Sequence, residues 1–108
     1  MSRKPIFPRE LADRDVAAAV DYYIHAAGPD LALGFIDALQ MAFQTIAAHP
    51  ASGSPRYAHE LSLPRLRSRG VKRYPYVVFY IEREDHIDIW RVLHVQRDIP
   101  ARMQEAES

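Results

Sequence analysis

The 108-residue sequence contains no cysteine, and that absence removes disulfides, thiolate nucleophiles and cysteine-based zinc sites together. A reducing compartment suits such a chain best. There is no glycine-rich phosphate loop and no G-x-S-x-G, so nucleotide binding and serine hydrolysis have no basis in the sequence. The five histidines, His25, His49, His59, His86 and His94, show neither H-x-x-x-H nor H-E-x-x-H spacing. No metal site and no cofactor are expected. Long apolar runs are also lacking. The basic start Met1-Ser2-Arg3-Lys4-Pro5 leads into no apolar stretch of about 7–15 residues, and no segment reads as approaching the roughly 18 apolar residues of a membrane span. Neither secretion nor membrane insertion is expected, and the protein is placed in the cytoplasm.

Net charge is absent too, with 14 basic and 14 acidic side chains, but the balance is uneven along the chain. Met1 to Glu60 carries five basic and seven acidic residues, whereas Leu61 to Ser108 carries nine basic and seven acidic. Between Leu61 and Ile81, Arg65, Arg67, Arg69, Lys72 and Arg73 occur without a single acid. Such a density creates a potential attractive to phosphate or to acidic protein, although many such runs are only solvated strand faces. A hydrophobic fraction of 48% and a charged fraction of 26% are those of an ordinary globular chain. At this length one domain over residues 1–108 is the default.

Apolar spacing predicts the elements. Ile6-Phe7, bracketed by Pro5 and Pro8, suits a brief edge strand because proline cannot donate to a ladder. Helix one, about Arg9 to Ala27, gathers Ala12, Val16, Ala19, Val20, Tyr23 and Ile24 on one face, with Asp13, Arg14, Asp15 and Asp21 largely opposite. Gly28-Pro29-Asp30 ends it and starts helix two, about Asp30 to His49, whose stripe is Leu31, Phe35, Ile36, Leu39, Ala42, Phe43 and Ile46. So short a connection forces a helical hairpin. Ala51 to Pro64 reads as an ordered loop. Strands follow near Leu66–Val71, Tyr74–Glu82 and His86–Val95, with Arg83-Glu84-Asp85 as a turn, and a last short helix or frayed end covers Asp98 to Glu105. There is no internal repeat.

The expected fold is therefore α+β in two layers: a short N-terminal strand and a helical hairpin packed on a small antiparallel sheet. The sheet's other face is expected to be partly open to solvent or to a partner.

Five local patterns stand in one order: Ala12-x-Arg14-Asp15-Val16, His49-Pro50-x-x-Gly53-x-Pro55, Leu66-Arg67-Ser68, Val78-Phe79-Tyr80 and Arg91-Val92-Leu93-His94-x-x-Arg97-Asp98. Together, over about Pro8 to Arg102, they resemble the ParE toxin family of the RelE/ParE toxin–antitoxin superfamily. The resemblance implies a toxin that poisons DNA gyrase without bond-making chemistry of its own and is neutralised by a cognate ParD-like antitoxin. Antitoxins of this class have a segment that folds over the toxin, adding to its sheet or covering its helical groove.

RelE-like relatives are ribosome-dependent mRNA interferases, which need cations on the phosphate and groups that move a proton at the 2′-hydroxyl. Arg69, Arg73, Arg91 and His94 are the candidates for that alternative, all on or near one exposed sheet face. The tyrosine such relatives carry near the C-terminus is missing, since the last tyrosine is Tyr80. His94 also reads as a sheet histidine bonded to backbone or to Asp98.

For target or partner binding the candidates are Arg67, Arg69, Lys72, Arg73, Arg97, Trp90 and Tyr22. Arg67 and Arg69, two apart on a strand, share a face, while pairing with Glu82, Asp88 or Asp98 is their structural reading, favoured for Arg91. Trp90, alternating with Ile89 and Arg91, is expected to point with Val92, as core if buried and as an interface anchor if exposed. Sequence-specific nucleic-acid binding is not expected. A non-toxic antitoxin-binding or co-repressor protein is the third class of reading.

Overall fold

In a computed structural model describing residues 3–97 and 99–107, the chain runs β1 (Ile6–Pro8), α1 (Glu10–Ala27), α2 (Pro29–Ala48), a 3-10 turn (Pro50–Ser52), α3 (Arg56–Glu60), β2 (Leu66–Gly70), β3 (Tyr76–Glu82), β4 (Ile87–His94) and α4 (Ile99–Glu107). The strands form a sheet in the order β1-β4-β3-β2. The β2–β3–β4 meander is antiparallel, as the short connections require. β1 instead joins β4 in parallel, Ile6 beside Ile87, so the sheet is mixed. Strand direction at that edge depends on how the intervening helices return the chain, which local pattern does not record.

Glu10 and Asp13 occupy the first turn of α1, where the positive end of the helix dipole favours carboxylates. Gly28 closes the helix at φ 91°, a left-handed value easy only for glycine, and donates its N–H to Ile24 O. Pro29 then opens α2 with its ring already at the helical φ. By length and composition α2 would also suit a membrane span, contrary to the sequence expectation. In this fold its buried stripe of Ala32, Phe35, Leu39, Ala42 and Ile46 lies against protein.

Ala12, Ala19 and Tyr23 of α1 join Ala32, Phe35, Leu39 and Ile46 of α2 in a core with Val78, Tyr80, Ile87, Ile89 and Val92 of the sheet. The helical-hairpin layer is thus as expected, except that Ile24 and Leu31 are exposed. Tyr23, Phe35, Tyr74 and Tyr76 form an aromatic group toward the Gly28 connection of the hairpin, with centroids 5.1–6.2 Å apart. Burial raises the pKa of the Tyr23 hydroxyl, and the neighbouring tyrosines add to the effect.

The other face of the sheet is not left open. Leu66, Phe79, Ile81, Trp90 and Leu93 make a second core with Ala58 of α3 and with Ile99 and Met103 of α4. The segment read as plain loop, Ala51 to Pro64, contains α3 for this purpose, and Tyr57 on it stacks edge-on against Phe79.

The two cores are separated by strand alternation, and in β4 that alternation is broken once. Phe79 faces Arg91 while the next residue, Tyr80, faces Ile89, so Trp90 is the extra residue of a β-bulge. Ordinary alternation from Ile89 puts Trp90 in the second core, and the bulge returns Val92 to the first. Trp90 therefore does not point with Val92, as strict alternation had placed it.

Gly34, inside α2, lies where an added Cβ would meet the Tyr74 hydroxyl, which donates to Leu31 O at 3.1 Å. Gly34→Ala alone should be neutral or destabilising in urea denaturation, because overpacking cancels the helix-propensity gain of about 1 kcal/mol. In a Tyr74→Phe background the same change should stabilise by about 0.5–1 kcal/mol, since the remaining ring carbon would sit at an ordinary 3.7 Å. Equal effects in both backgrounds would contradict this packing.

Candidate functional site

β1 spans three residues and stops beside Ile89, so among the described residues no strand covers the C-terminal half of β4 on that side. Asp15 of α1 fills part of the gap. Its carboxylate accepts from Arg91 Nε and Nη2, each at 2.7 Å, and its Oδ2 also accepts the edge-facing N–H of Val92 at 3.0 Å. Arg91 reaches further, donating to Arg102 O of α4 at 2.7 Å, with Glu105 at 3.7 Å. At 5% exposure Arg91 is a buried guanidinium. The hydrogen bonds it donates to Asp15 hold it protonated even more firmly than usual, against the effect of burial. Arg91 is thus ion-paired, with Asp15 rather than with Glu82 or Asp88; Asp98 lies outside the described residues.

Asp15 had been assigned to the solvent side of α1. Its spacing from Ala12 and Ala19, three and four residues, puts it on the border of the buried stripe, and that was the available signal.

Beside this pair lies a groove of about 390 Å³ whose walls include Tyr22, Tyr76, His94, Arg97 and Arg102. Tyr22 is 62% exposed at its rim. His94 is half-buried, stacks edge-on against Tyr76 at 5.2 Å and accepts the Gln96 N–H at Nδ1. Burial raises the pKa of the Tyr76 hydroxyl, though the Arg97 charge opposes this, so the phenol stays neutral near pH 7. The groove brings together Arg91, Arg97, His94 and Tyr22 of the predicted residues. Arg69 and Arg73 do not line it. The four groups considered for RNA cleavage are therefore not one constellation, and Arg91 is already committed to Asp15.

Arg67 and Arg69 stand opposite Tyr80 and Val78, so they share the face of the helical hairpin rather than the opposite face expected to be open. Arg67 donates to Gly53 O at 2.8 Å and Arg69 to Ser52 Oγ at 2.7 Å. Neither makes an ion pair among the described residues. Beneath them Tyr80 donates to Pro50 O at 2.6 Å, and its hydroxyl occupies the space a Cβ at Gly53 would need. Burial pushes this phenol's pKa up, while the Gly53 backbone and both arginines pull the other way. Lys72 and Arg73 are exposed in the β2–β3 connection, Arg73 with φ 72°.

Trp90, at 6% exposure, is core and not an exposed anchor. The Arg9 guanidinium lies 3.9 Å from its ring centroid, and its indole N–H donates to Asp88 Oδ2 at 3.1 Å. Asp88 also takes bidentate contacts from Arg9 and a contact from Arg83 at 2.9 Å. Sequence reasoning named Asp88 only as a possible cross-strand partner for other arginines. Its signal was an acid in the middle of an apolar strand. Burial pushes the Asp88 carboxyl up, but the hydrogen bonds from Arg9 and Arg83, the Arg9 charge and the indole together hold it below the usual carboxylate value.

Two outcomes follow for stability. Asp15→Asn leaves the buried Arg91 without its carboxylate, and urea denaturation should show a loss of about 3–5 kcal/mol; a loss within about 0.5 kcal/mol would mean the pair is not closed in solution. A carboxyl whose pKa is lowered by folding stabilises fully above the unfolded value near 3.9, and the contribution is lost as pH falls through the folded value. The urea midpoint of Asp88→Asn should accordingly fall less than that of the parent between about pH 5 and pH 2.

The comparisons with known proteins agree with this architecture. No curated protein matches the sequence. A solved chain of the chromosomal ParDE TA system from P. aeruginosa superposes with a TM-score of 0.71 at 20% identity, covering 85% of this chain and 96% of that one, which is a likeness of fold. The family model for the ParE toxin of the type II toxin-antitoxin system, parDE, matches residues 6–99, from β1 through the start of α4. The chain therefore belongs to the ParE toxin family.

Proposed function

We propose that this chain is a toxin that inhibits DNA gyrase and is held inactive by a cognate ParD-like antitoxin. The observation that carries the reading is family membership across residues 6–99, with the β4 edge and its groove inside or adjoining the matched region. The absence of a gathered acid–base set favours action by binding. Arg91 is engaged by Asp15 and Arg102, and Arg69 and Arg73 do not line the groove that holds His94. A macromolecular target needs only a shaped surface.

The groove suits an extended or helical antitoxin segment. It is bordered by exposed Tyr22 and by Arg97, and tyrosine and arginine are residue types that dominate interface energetics. The complex would act in the cytoplasm.

In a supercoiling assay, purified toxin at excess over gyrase should abolish supercoiling and accumulate cleaved DNA, and equimolar antitoxin should restore activity. Unaffected gyrase together with codon-register cuts in translating mRNA would replace this reading with the interferase one, and normal growth on induction would point to the non-toxic one. Tyr22→Ala combined with Arg97→Ala should weaken antitoxin binding at least tenfold in calorimetry while leaving the circular dichroism spectrum unchanged. Undiminished affinity would move the antitoxin interface elsewhere.

A further inference from the structure

Many cations of this protein are already paired. Lys4, Arg9, Arg14, Arg83, Arg91 and Arg102 each contact a carboxylate. Between Arg56 and Arg73 no cation does so among the described residues. Arg65 donates to Glu82 O at 3.2 Å, Arg67 to Gly53 O and Arg69 to Ser52 Oγ, which are all neutral acceptors. Their side chains are steered without an ion pair; the carboxylate of Glu82 lines the same cleft as Arg65 and Arg67 but is held by Lys4 at 2.8 Å. Arg67 and Arg69, two apart on β2, repeat at about 6.6 Å, and Arg65 stands in the turn just before the strand, so the three follow one edge of the sheet. Exposed Arg56, Lys72 and Arg73 extend it at the two ends. Arg73 at one end of it holds a left-handed φ of 72°.

We propose that this row is a docking ledge for the phosphodiester backbone of duplex DNA, bound without regard to sequence. The surroundings decide between partners. A protein interface needs an apolar centre with aromatic anchors, whereas interfaces to DNA are more polar and far more positive. The exposed large hydrophobics are Phe7, Tyr22, Ile24, Leu31, Leu33, Met41 and Val95, and none comes from the segment that carries the row. Single strands are held by stacking bases on free aromatic rings. The aromatic at this end, Tyr57, is half-buried against Phe79 beneath the Arg56 guanidinium, so a duplex is favoured. The ledge lies on β2, at the opposite edge of the sheet from the β1–β4 side where the antitoxin groove opens, so both surfaces are available together.

The proposal does not rest on the gyrase reading, and its test uses no gyrase. Fluorescence anisotropy would follow binding of the full chain, free and with antitoxin bound, to a mixed-sequence 20-base-pair duplex between about 50 and 200 mM salt. Three phosphate contacts give a slope of log K against log salt of about −2.7, and each contact removed flattens it by about 0.9. Arg65→Gln, Arg67→Gln and Arg69→Gln together should flatten the slope by two or more and weaken binding at least tenfold, while the triple lysine variant should retain most of the affinity. If the glutamine variant fails to fold, Arg56→Gln, Lys72→Gln and Arg73→Gln, all at exposed positions, should flatten the slope by at least one. A slope shallower than −1, unchanged binding by the glutamine variants, tighter binding to the single strand, or equal displacement by poly-glutamate would each overturn the ledge. Gyrase inhibition without DNA binding overturns the ledge and leaves the target reading standing, and DNA binding without gyrase inhibition does the converse.

Discussion

The carboxylate of Asp15 joins parts of the chain that would otherwise have no reason to stay together. It neutralises Arg91, accepts the Val92 N–H at an edge where no strand arrives, and through Arg91 reaches the Arg102 carbonyl of α4. A buried ion pair gains little net stability, because desolvation offsets the Coulomb attraction, but breaking one half is costly. What this pair supplies is registration. α1 on one side, the bulged strand in the middle and α4 on the other are held to a common point. With β1 ending at Pro8, the exposed backbone of β4 would otherwise be a liability, and a side chain satisfies it without closing the groove.

The β-bulge at Trp90 lies beside the same contact. Trp90 sits in the core beneath α3 and α4, and the one extra residue keeps Val92 under the helical hairpin. A sheet covered on both faces buries more of its apolar surface than a two-layer arrangement with one wet face, and it needs the short helices to do so. The Arg9–Asp88–Arg83 contacts and the stacking of Arg9 on Trp90 tie β1 and the start of α1 to the same strand.

The surfaces then divide by chemistry. At the β4 edge, Arg91 and Arg102 are engaged by carboxylates and the groove offers tyrosine, histidine, Arg97 and uncovered strand backbone. At the β2 edge, cations are steered by carbonyl and hydroxyl oxygens and keep their charge. The chain belongs to the ParE toxin family, and the two edges of its sheet differ in the chemistry they present.

Much of this was written in the residues themselves. Helical periodicity and the Gly28-Pro29 break determined the hairpin, the β-branched run Tyr76–Ile81 determined an inner strand, and the order of five short patterns determined the family. These features arise from neighbours in sequence, so local spacing records them. The direction of β1, the one-residue slip that puts Trp90 and Val92 on opposite faces, the burial of Arg91 against Asp15 and the covering of the second face by α3 and α4 were decided only in three dimensions. Each rests on contacts between residues tens of positions apart, as between Asp15 and Arg91, where a carboxylate that looks like one more charge on a solvated helix finds the one guanidinium whose strand has slipped out of register.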